Sequence, residues 1–195
     1  MTVEVRTLSA GELSGALDSL ARLRIEVFRA YPYLYDGHLA YEADYLREFA
    51  TEPGSVLVAA LDGTRVVGAA TASPMIGQKR EFRQPFTDHG IDPTRLFYFG
   101  ESVLLPEYRG YGIGHRFFDA REAAARAGGA EGASFAAVVR PDDHPQRPAG
   151  YRPLDAFWQG RGYRPVPGLI TELAWKEHDG AEEIPHTMQF WMRQW

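Results

Sequence analysis

The chain has 195 residues, enough for one domain with a substantial core, and its 45% hydrophobic and 24% charged residues are ordinary for a globular protein. Its net charge of −5 argues against sequence-independent binding to nucleic acid, which requires a basic surface, and mildly favours a cationic partner. Cysteine is absent, which excludes disulfides, thiolate catalysis and cysteine-ligated zinc.

The first residues lack the basic head and apolar core of a signal peptide, and no apolar run approaches the length of a membrane span. We therefore expect a cytoplasmic protein that does not bind a membrane. Val3, Val5 and Leu8 lie in a short β-prone segment.

Two helices and a hairpin are predicted next. Apolar residues recur at helical spacing over residues 11–29, and again over residues 39–50. Strands are predicted at 55–61 and 65–73, because the Asp62-Gly63 pair between them is a strong hairpin signal. The segment 74–93 is predicted to be a long polar loop with room for a short helix.

The second half of the chain predicts strands at 96–105, 134–139, 169–176 and 187–192, with helices at 111–127 and 153–161. Three prolines make 140–152 a loop. Because no linker or repeat divides the chain, we expect a single domain over 1–195. The order βααβββαβαββ predicts an α/β (mixed α+β) fold, with helices flanking one central sheet. The last strand has two apolar faces, so we expect it to be buried against a second subunit in a homodimer or against the first helices.

The most informative stretch is Arg109-Gly110-Tyr111-Gly112-Ile113-Gly114, between a predicted strand and a predicted helix. This arrangement forms a cradle for phosphate, because the first amides of a helix have no helical partner and glycine lets the backbone approach an anion. The spacing G-x-G-x-G differs from the G-x-G-x-x-G of dinucleotide-binding folds. The lysine of a P-loop is missing as well.

The pattern R-x-x-G-x-G after a strand instead resembles the acetyl-CoA-binding motif of the GNAT superfamily of acyl-CoA-dependent N-acetyltransferases. The match is close over 102–115, the segment 157–163 resembles the superfamily's last short helix, and a weaker likeness covers 23–28. The resemblance implies a GNAT-like fold and acetyl-CoA as co-substrate. It also implies a pantetheine arm paired with the backbone of the preceding strand. The implied cofactor-binding residues are Ser102, Val103, Leu104, Arg109, Gly110, Tyr111, Gly112, Ile113, Gly114 and His115, and the Arg109 side chain either contacts a phosphate or is solvated.

The acceptor in such a reaction is usually an amine, which must lose a proton before it attacks. For an amine of pKa about 10.4, this costs roughly 4.6 kcal/mol at pH 7. Glu101 lies within an otherwise apolar strand beside the thioester-binding segment, so we predict it to be the catalytic base. The alternatives are that Glu101 is paired with an arginine or faces solvent.

Many members of the superfamily protonate the leaving thiolate with a tyrosine on the last short helix. That position is Trp158 here, and an indole N–H is not a useful acid. Tyr98, Tyr111, Tyr151 or solvent would have to replace it. The asparagine that often holds the pantetheine in the superfamily is also missing, and the loop 140–152 stands in its place.

The superfamily builds its acceptor wall from the loop after the first helix and the loop before the central strand. Tyr31, Tyr33, Tyr35 and Asp36 are therefore predicted to bind the acceptor, since aromatic rings with a carboxylate can hold a cation. The alternative is that the tyrosines cap the core. The six histidines show no metal-ligand spacing, so no metal site is expected.

These observations predict an acetyl-CoA-dependent N-acetyltransferase whose acceptor is an amine of a small molecule, peptide or protein. Direct attack of the amine on the thioester is the expected mechanism. The main alternative is a non-catalytic acyl-CoA-binding or sensing module, and a purely structural domain is the third.

Overall fold

The computed structural model describes residues 2–195, in which seven strands form one sheet and five α-helices pack around it. The strands are β1 (Val3–Thr7), β2 (Val56–Asp62), β3 (Arg65–Pro74), β4 (Leu96–Leu104), β5 (Gly132–Val138), β6 (Arg164–Lys176) and β7 (Glu183–Gln194). The helices are α1 (Ala10–Phe28), α2 (Leu39–Thr51), α3 (Arg80–Asp88), α4 (Ile113–Ala127) and α5 (Asp155–Gly160). None of them is long and apolar enough to cross a membrane.

The predicted element order is confirmed, with α3 as an additional helix inside the segment predicted to be mainly loop. Pro85 lies within α3 and weakens its sequence signal, because proline lacks the N–H that a helix interior uses. Tertiary packing supports the helix. Phe86 is fully buried, with its ring 4.8 Å from that of Phe190 in β7.

The strand order is β1-β2-β3-β4-β5-β7-β6, and β4–β5 is the parallel pair. These two strands pair over Leu96–Tyr98 and Gly132–Ser134, after which β4 continues to Leu104 along a separate path. The backbone of β4 beyond Tyr98 is consequently paired with β3 on one side and open toward β5 on the other.

A β-bulge deforms β4 at this opening. Ala70 pairs with Ser102 and Ala72 with Phe99, so one extra residue of β4 is accommodated around Gly100 and Glu101. Bulges of this kind redirect side chains and are common beside functional sites. Glycine is required here, because an added Cβ at Gly100 would lie 2.5 Å from Oγ1 of Thr71.

Both faces of the C-terminal strand are covered within the chain. Phe190 packs against Phe86 of α3, and Trp191 packs against Trp158 of α5 at 5.1 Å between ring centroids. The expectation that the first helices cover this strand is therefore wrong. A second subunit is not needed to bury it either.

Candidate active site

The glycine turn leads directly into α4. Gly110 and Gly112 have φ values of 85° and 75°, and Gly112 is the N-cap residue of the helix. An added Cβ at either glycine would meet no atom within 4 Å, so the backbone conformation, rather than crowding, calls for glycine. In residues 2–195 no side chain caps this helix, which leaves its first amides available to an anionic group.

The side chains of the turn have structural contacts. Nε and Nη2 of Arg109 donate to the carbonyl oxygen of Leu104 at 3.3 and 3.2 Å, which joins the turn to the end of β4. Ile113 is buried, His115 packs edge-on against Phe157 at 4.8 Å, and Tyr111 is exposed. Apart from His115 and Tyr111 at its rim, the turn offers a ligand its backbone.

The turn adjoins the open edge of β4. Ser102, Val103 and Leu104 lie on β4 beyond the residues that pair with β5, and the contact of Arg109 with the carbonyl oxygen of Leu104 places the turn at the end of this segment. An extended ligand arm can hydrogen-bond to such an edge as an additional strand does. The residues predicted to bind the cofactor are thus contiguous in space.

Glu101 lies at the bulge, in a buried network of polar groups. One carboxylate oxygen forms an ion pair with Nη1 of Arg24. The other accepts hydrogen bonds from the hydroxyls of Thr71 at 2.9 Å and Tyr45 at 3.2 Å. Its side chain is 7% exposed, so the arginine pairing that the sequence left as an alternative is present.

Arg24 is shared by two carboxylates. Its Nε donates to Glu42, which also accepts a hydrogen bond from the hydroxyl of Tyr35 at 2.7 Å. The ring of Tyr45 lies 4.4 Å from the guanidinium carbon. Two glutamates and one arginine leave the network one negative charge in excess when both carboxylates are ionised.

The charge of Arg24 sets the protonation of Glu101. Burial alone disfavours the charged carboxylate, but the adjacent guanidinium and the hydrogen bonds outweigh burial and hold the pKa of Glu101 below its usual value. Burial likewise opposes the charge on Arg24, whereas Glu101, Tyr45 and Glu42 raise the pKa of Arg24. Glu101 is therefore an ionised carboxylate at neutral pH.

The network borders a cavity of about 430 Å³ enclosed by α1, α2, α3 and the strands β3, β4 and β6. Glu101, Arg24 and Tyr45 line this cavity, together with several aromatic side chains. The lining includes five glutamates but only one arginine and one lysine. The cavity is thus concave, rich in aromatic surface and acidic, which suits a small organic cation.

The four residues predicted to bind the acceptor divide into two pairs. Tyr33 and Tyr35 line the cavity, and burial raises the pKa of Tyr33 to about 12. Tyr31 instead packs edge-on against Tyr151 at 4.7 Å, and Asp36 forms an ion pair with Lys176 at 2.9 Å; neither lines the cavity.

The three tyrosines predicted as alternative acids lie in different places. Tyr98 lines the cavity, and burial raises its pKa, so it is protonated at neutral pH. Tyr111 is exposed on the glycine turn, and Tyr151 packs on Tyr31. Trp158 packs against the rings of both Phe135 and Trp191.

Sequence reasoning missed Arg24, Glu42, Tyr45 and Thr71 as parts of the site. One signal was present, because Arg24 directly follows buried Leu23 in the apolar stripe of α1, where an unpaired charge would be costly. The residues of this network come from distant parts of the chain, and no local spacing in the sequence connects them. In residues 2–195 no cluster of histidine, aspartate and glutamate has a geometry that would hold a metal ion.

Comparison with known proteins adds independent findings. The family model described as the acetyltransferase (GNAT) family matches residues 19–149. No curated protein matches the chain significantly.

Many solved structures share the fold. A ribosomal-protein-alanine N-acetyltransferase from Brucella melitensis superposes with a TM-score of 0.64 at 13% identity, covering 98% of this chain and 99% of that one. A GNAT superfamily phosphinothricin acetyltransferase from Sinorhizobium meliloti, in complex with acetyl-CoA, gives a TM-score of 0.58 at 20% identity, covering 100% and 89%. The PaiA N-acetyltransferase from Thermoplasma acidophilum, in complex with coenzyme A, gives 0.55 at 12% identity, with both chains fully covered.

Proposed function

The chain belongs to the GNAT acetyltransferase family, whose members are acetyl-CoA-dependent acyltransferases, and on that premise we propose that it acetylates an amine bound in the cavity beside Glu101. The acceptor is an amine of a small molecule, or of a peptide or protein side chain that reaches into the cavity. The observation that carries this proposal is the position of the Glu101 carboxylate, which lines the cavity at the bulge where β4 separates from β5.

The donor site proposed for acetyl-CoA consists of the glycine turn and the open edge of β4. The first amides of α4 hold the pyrophosphate, and the helix dipole adds about 0.3–1 kcal/mol to their hydrogen bonds. The backbone of Ser102–Leu104 pairs with the pantetheine arm. A backbone N–H at this edge also polarises the thioester carbonyl as an oxyanion donor.

The reaction proposed is direct attack of a neutral amine nitrogen on the thioester carbonyl. The nitrogen gains positive charge as the N–C bond forms, and its proton passes to the carboxylate of Glu101. The C–S bond then breaks and releases the thiolate of coenzyme A. Because a thiol has a pKa of about 8.5, this thiolate can leave with a hydrogen bond from Tyr98 and take its proton from water.

The test is a titration of the protein with acetyl-CoA, followed by an assay of coenzyme A release with a panel of amines. We expect acetyl-CoA to bind, and at least one class of amines to accelerate release of the free thiol above the rate of thioester hydrolysis. Mass spectrometry should then show an acetylated amine. If acetyl-CoA binds but no amine or peptide increases thiol release, the protein is a binding module and the proposal is wrong.

A further inference from the structure

A buried arginine of α4 lies beside the bulge of β4. Arg121 is 1% exposed, and its guanidinium carbon lies 4.5 Å and 4.8 Å from the ring centroids of Phe99 and Phe118. In the part of the chain that the structure describes, Arg121 forms no ion pair and its Nη2 has no hydrogen-bond partner. Burial lowers the pKa of Arg121 to about 10, so the guanidinium is charged at neutral pH. A buried charge without a carboxylate partner is costly, so its presence at this place calls for a reason.

The hydrogen bonds of Arg121 all go to backbone carbonyl oxygens. Its Nε donates to Phe117 within α4 at 3.2 Å, and its Nη1 donates to Thr71 and Glu101 at 3.3 and 3.5 Å. Thr71 of β3 and Glu101 of β4 lie at the bulge, where the regular pairing of the two strands is interrupted. One terminal nitrogen of Arg121 therefore joins the two strands at the point where their own hydrogen bonds do not.

The carbonyl of Glu101 belongs to the peptide group that also contains the N–H of Ser102. In a planar trans peptide the C=O and the N–H point in opposite directions, so this N–H points away from Arg121. The N–H of Leu105 donates to Val67 of β3, and successive residues of an antiparallel strand alternate between facing that partner and facing away. Ser102 lies an odd number of positions before Leu105. Its N–H is therefore directed to the open edge of β4, where the thioester is proposed to bind.

We infer that Arg121 is a positioning residue for acyl transfer, which holds the peptide between Glu101 and Ser102 so that the N–H of Ser102 meets the thioester carbonyl. This inference rests on the proposed function, since it concerns the oxyanion donor of the same reaction. The positive charge at the carbonyl end of the peptide also makes its N–H a stronger donor, because linked hydrogen bonds polarise one another. The same contact fixes the backbone that carries the Glu101 carboxylate into the cavity.

The spectroscopic test uses acetyl-CoA with ¹³C at the acetyl carbonyl, bound to the protein without an acceptor. Isotope-edited infrared spectroscopy measures the stretching wavenumber of this carbonyl, which falls as its hydrogen bond becomes stronger. We expect a lower wavenumber in the wild type than in Arg121→Met, which removes the charge and the donors. Arg121→Lys keeps the charge, but its shorter side chain lacks the planar fork that joins both carbonyls, so its wavenumber should lie between the other two.

Tyr163→Phe is the matched control. The hydroxyl of Tyr163 donates to Glu122 of α4 at 3.2 Å, and its ring packs beside the same two rings that contact Arg121. This substitution removes a buried hydrogen bond from the same cluster without touching the bulge. We therefore expect Tyr163→Phe to keep the wild-type wavenumber of the bound thioester.

The kinetic readout is acetyl transfer to the best acceptor of the amine panel, or thioester hydrolysis where no amine is acetylated. Loss of an oxyanion donor costs about 10²–10³-fold in kcat, so we expect Arg121→Met, which misdirects the donor but does not remove it, to lose about tenfold to a hundredfold. The KM for acetyl-CoA should change by less than about threefold, because the glycine turn does not depend on Arg121. Urea unfolding shows whether each variant is folded.

These measurements separate the inference from the proposed function. A wavenumber that depends on Arg121 supports the positioning role even if no amine is acetylated, in which case the proposed function alone fails. Acetylation of an amine, together with the wild-type wavenumber and kcat in both Arg121 variants, keeps the proposed function and rejects the inference. If Arg121→Met does not fold, Arg121→Lys decides on the same two readouts. Equal changes in Tyr163→Phe also reject the inference, and a wild-type protein that does not bind acetyl-CoA rejects both proposals.

Discussion

Replacement of Glu101 by glutamine tests the proposed base with little change of shape. Glutamine has the size of glutamate, and its amide can retain contacts with the hydroxyls of Thr71 and Tyr45. The substitution removes the negative charge that pairs with Arg24. Arg24 nevertheless keeps Glu42 as a partner, so the buried guanidinium is not left uncompensated.

The expected effects on stability and on activity have different sizes. Stranding a buried charge costs about 3–5 kcal/mol, but because Glu42 remains paired with Arg24 we expect Glu101→Gln to lower the free energy of unfolding by about 1–3 kcal/mol. A positioned general base contributes about 10²–10⁴-fold in rate, so kcat/KM should fall by that factor. At about 1.36 kcal/mol per decade, this is about 3–5 kcal/mol of transition-state stabilisation.

Glu42→Gln is the matched control, because it removes the same charge from the same arginine at a residue that is on α2 rather than β4. Thiol release is measured for both variants, with urea unfolding and acetyl-CoA affinity as checks on folding. We expect Glu42→Gln to lose less than about tenfold in kcat/KM. Equal losses in the two variants, or nearly full activity in Glu101→Gln, would show that the network is structural and that Glu101 is not the base.

Three further predictions concern the turn, the acid limit and the buried arginine. Gly112→Ala should cost about 1–2 kcal/mol of stability through its φ of 75° and weaken acetyl-CoA binding, whereas Gly90→Ala, at φ 70° before β4, should cost a similar amount and leave binding unchanged in calorimetry. Because the pKa of Glu101 is lower in the folded protein, its contribution to stability is present above the unfolded value of about 4.3 and is lost as the pH falls through the folded value. Urea unfolding between pH 6 and 2 should therefore be less pH-dependent in Glu101→Gln than in the wild type. Arg121 is buried on α4 and donates to the carbonyls of Thr71 and Glu101 at 3.3 and 3.5 Å, so Arg121→Met should cost about 2–4 kcal/mol in the same assay by leaving both without that donor.

The element order could be predicted from the sequence because each element carries a local signal. The helical apolar stripes, the Asp62-Gly63 hairpin and the glycine turn are all readable within a few residues. Helix α3 was harder, since Pro85 weakens its pattern and the burial of Phe86 against Phe190 supplies what local propensity does not. The apolar faces of β7 predict that the strand is buried, but they do not show that α3 and α5 are the helices that cover it.

The donor and acceptor halves of the candidate site also differ in how far the sequence reveals them. The proposed donor half is one contiguous stretch from β4 to α4, so its motif is visible in the sequence. The cavity is assembled from α1, α2, α3 and several strands, and its key pairing joins Arg24 to Glu101 across 77 positions of sequence. The loop after α1 shows that the sequence does not reveal which of its side chains line the cavity. Tyr33 and Tyr35 line the cavity, whereas Tyr31 and Asp36 contact other residues. Leu34, between the two tyrosines that line the cavity, has a left-handed backbone conformation.

The pairing of Glu101 with Arg24 is compatible with catalysis, but it restricts what the carboxylate can do. A free ammonium group holds its proton far more tightly than an ordinary carboxylate does, and the lowered pKa of Glu101 widens this gap, so Glu101 is a poor base toward a free ammonium group. Glu101 can accept the proton from a nitrogen that has begun to bond to the carbonyl carbon, because that nitrogen is far more acidic. The amine must therefore arrive neutral, and kcat/KM should increase about tenfold per pH unit until the pKa of the acceptor is reached. A rate that is independent of pH between 6 and 8 would show that another group deprotonates the amine before attack.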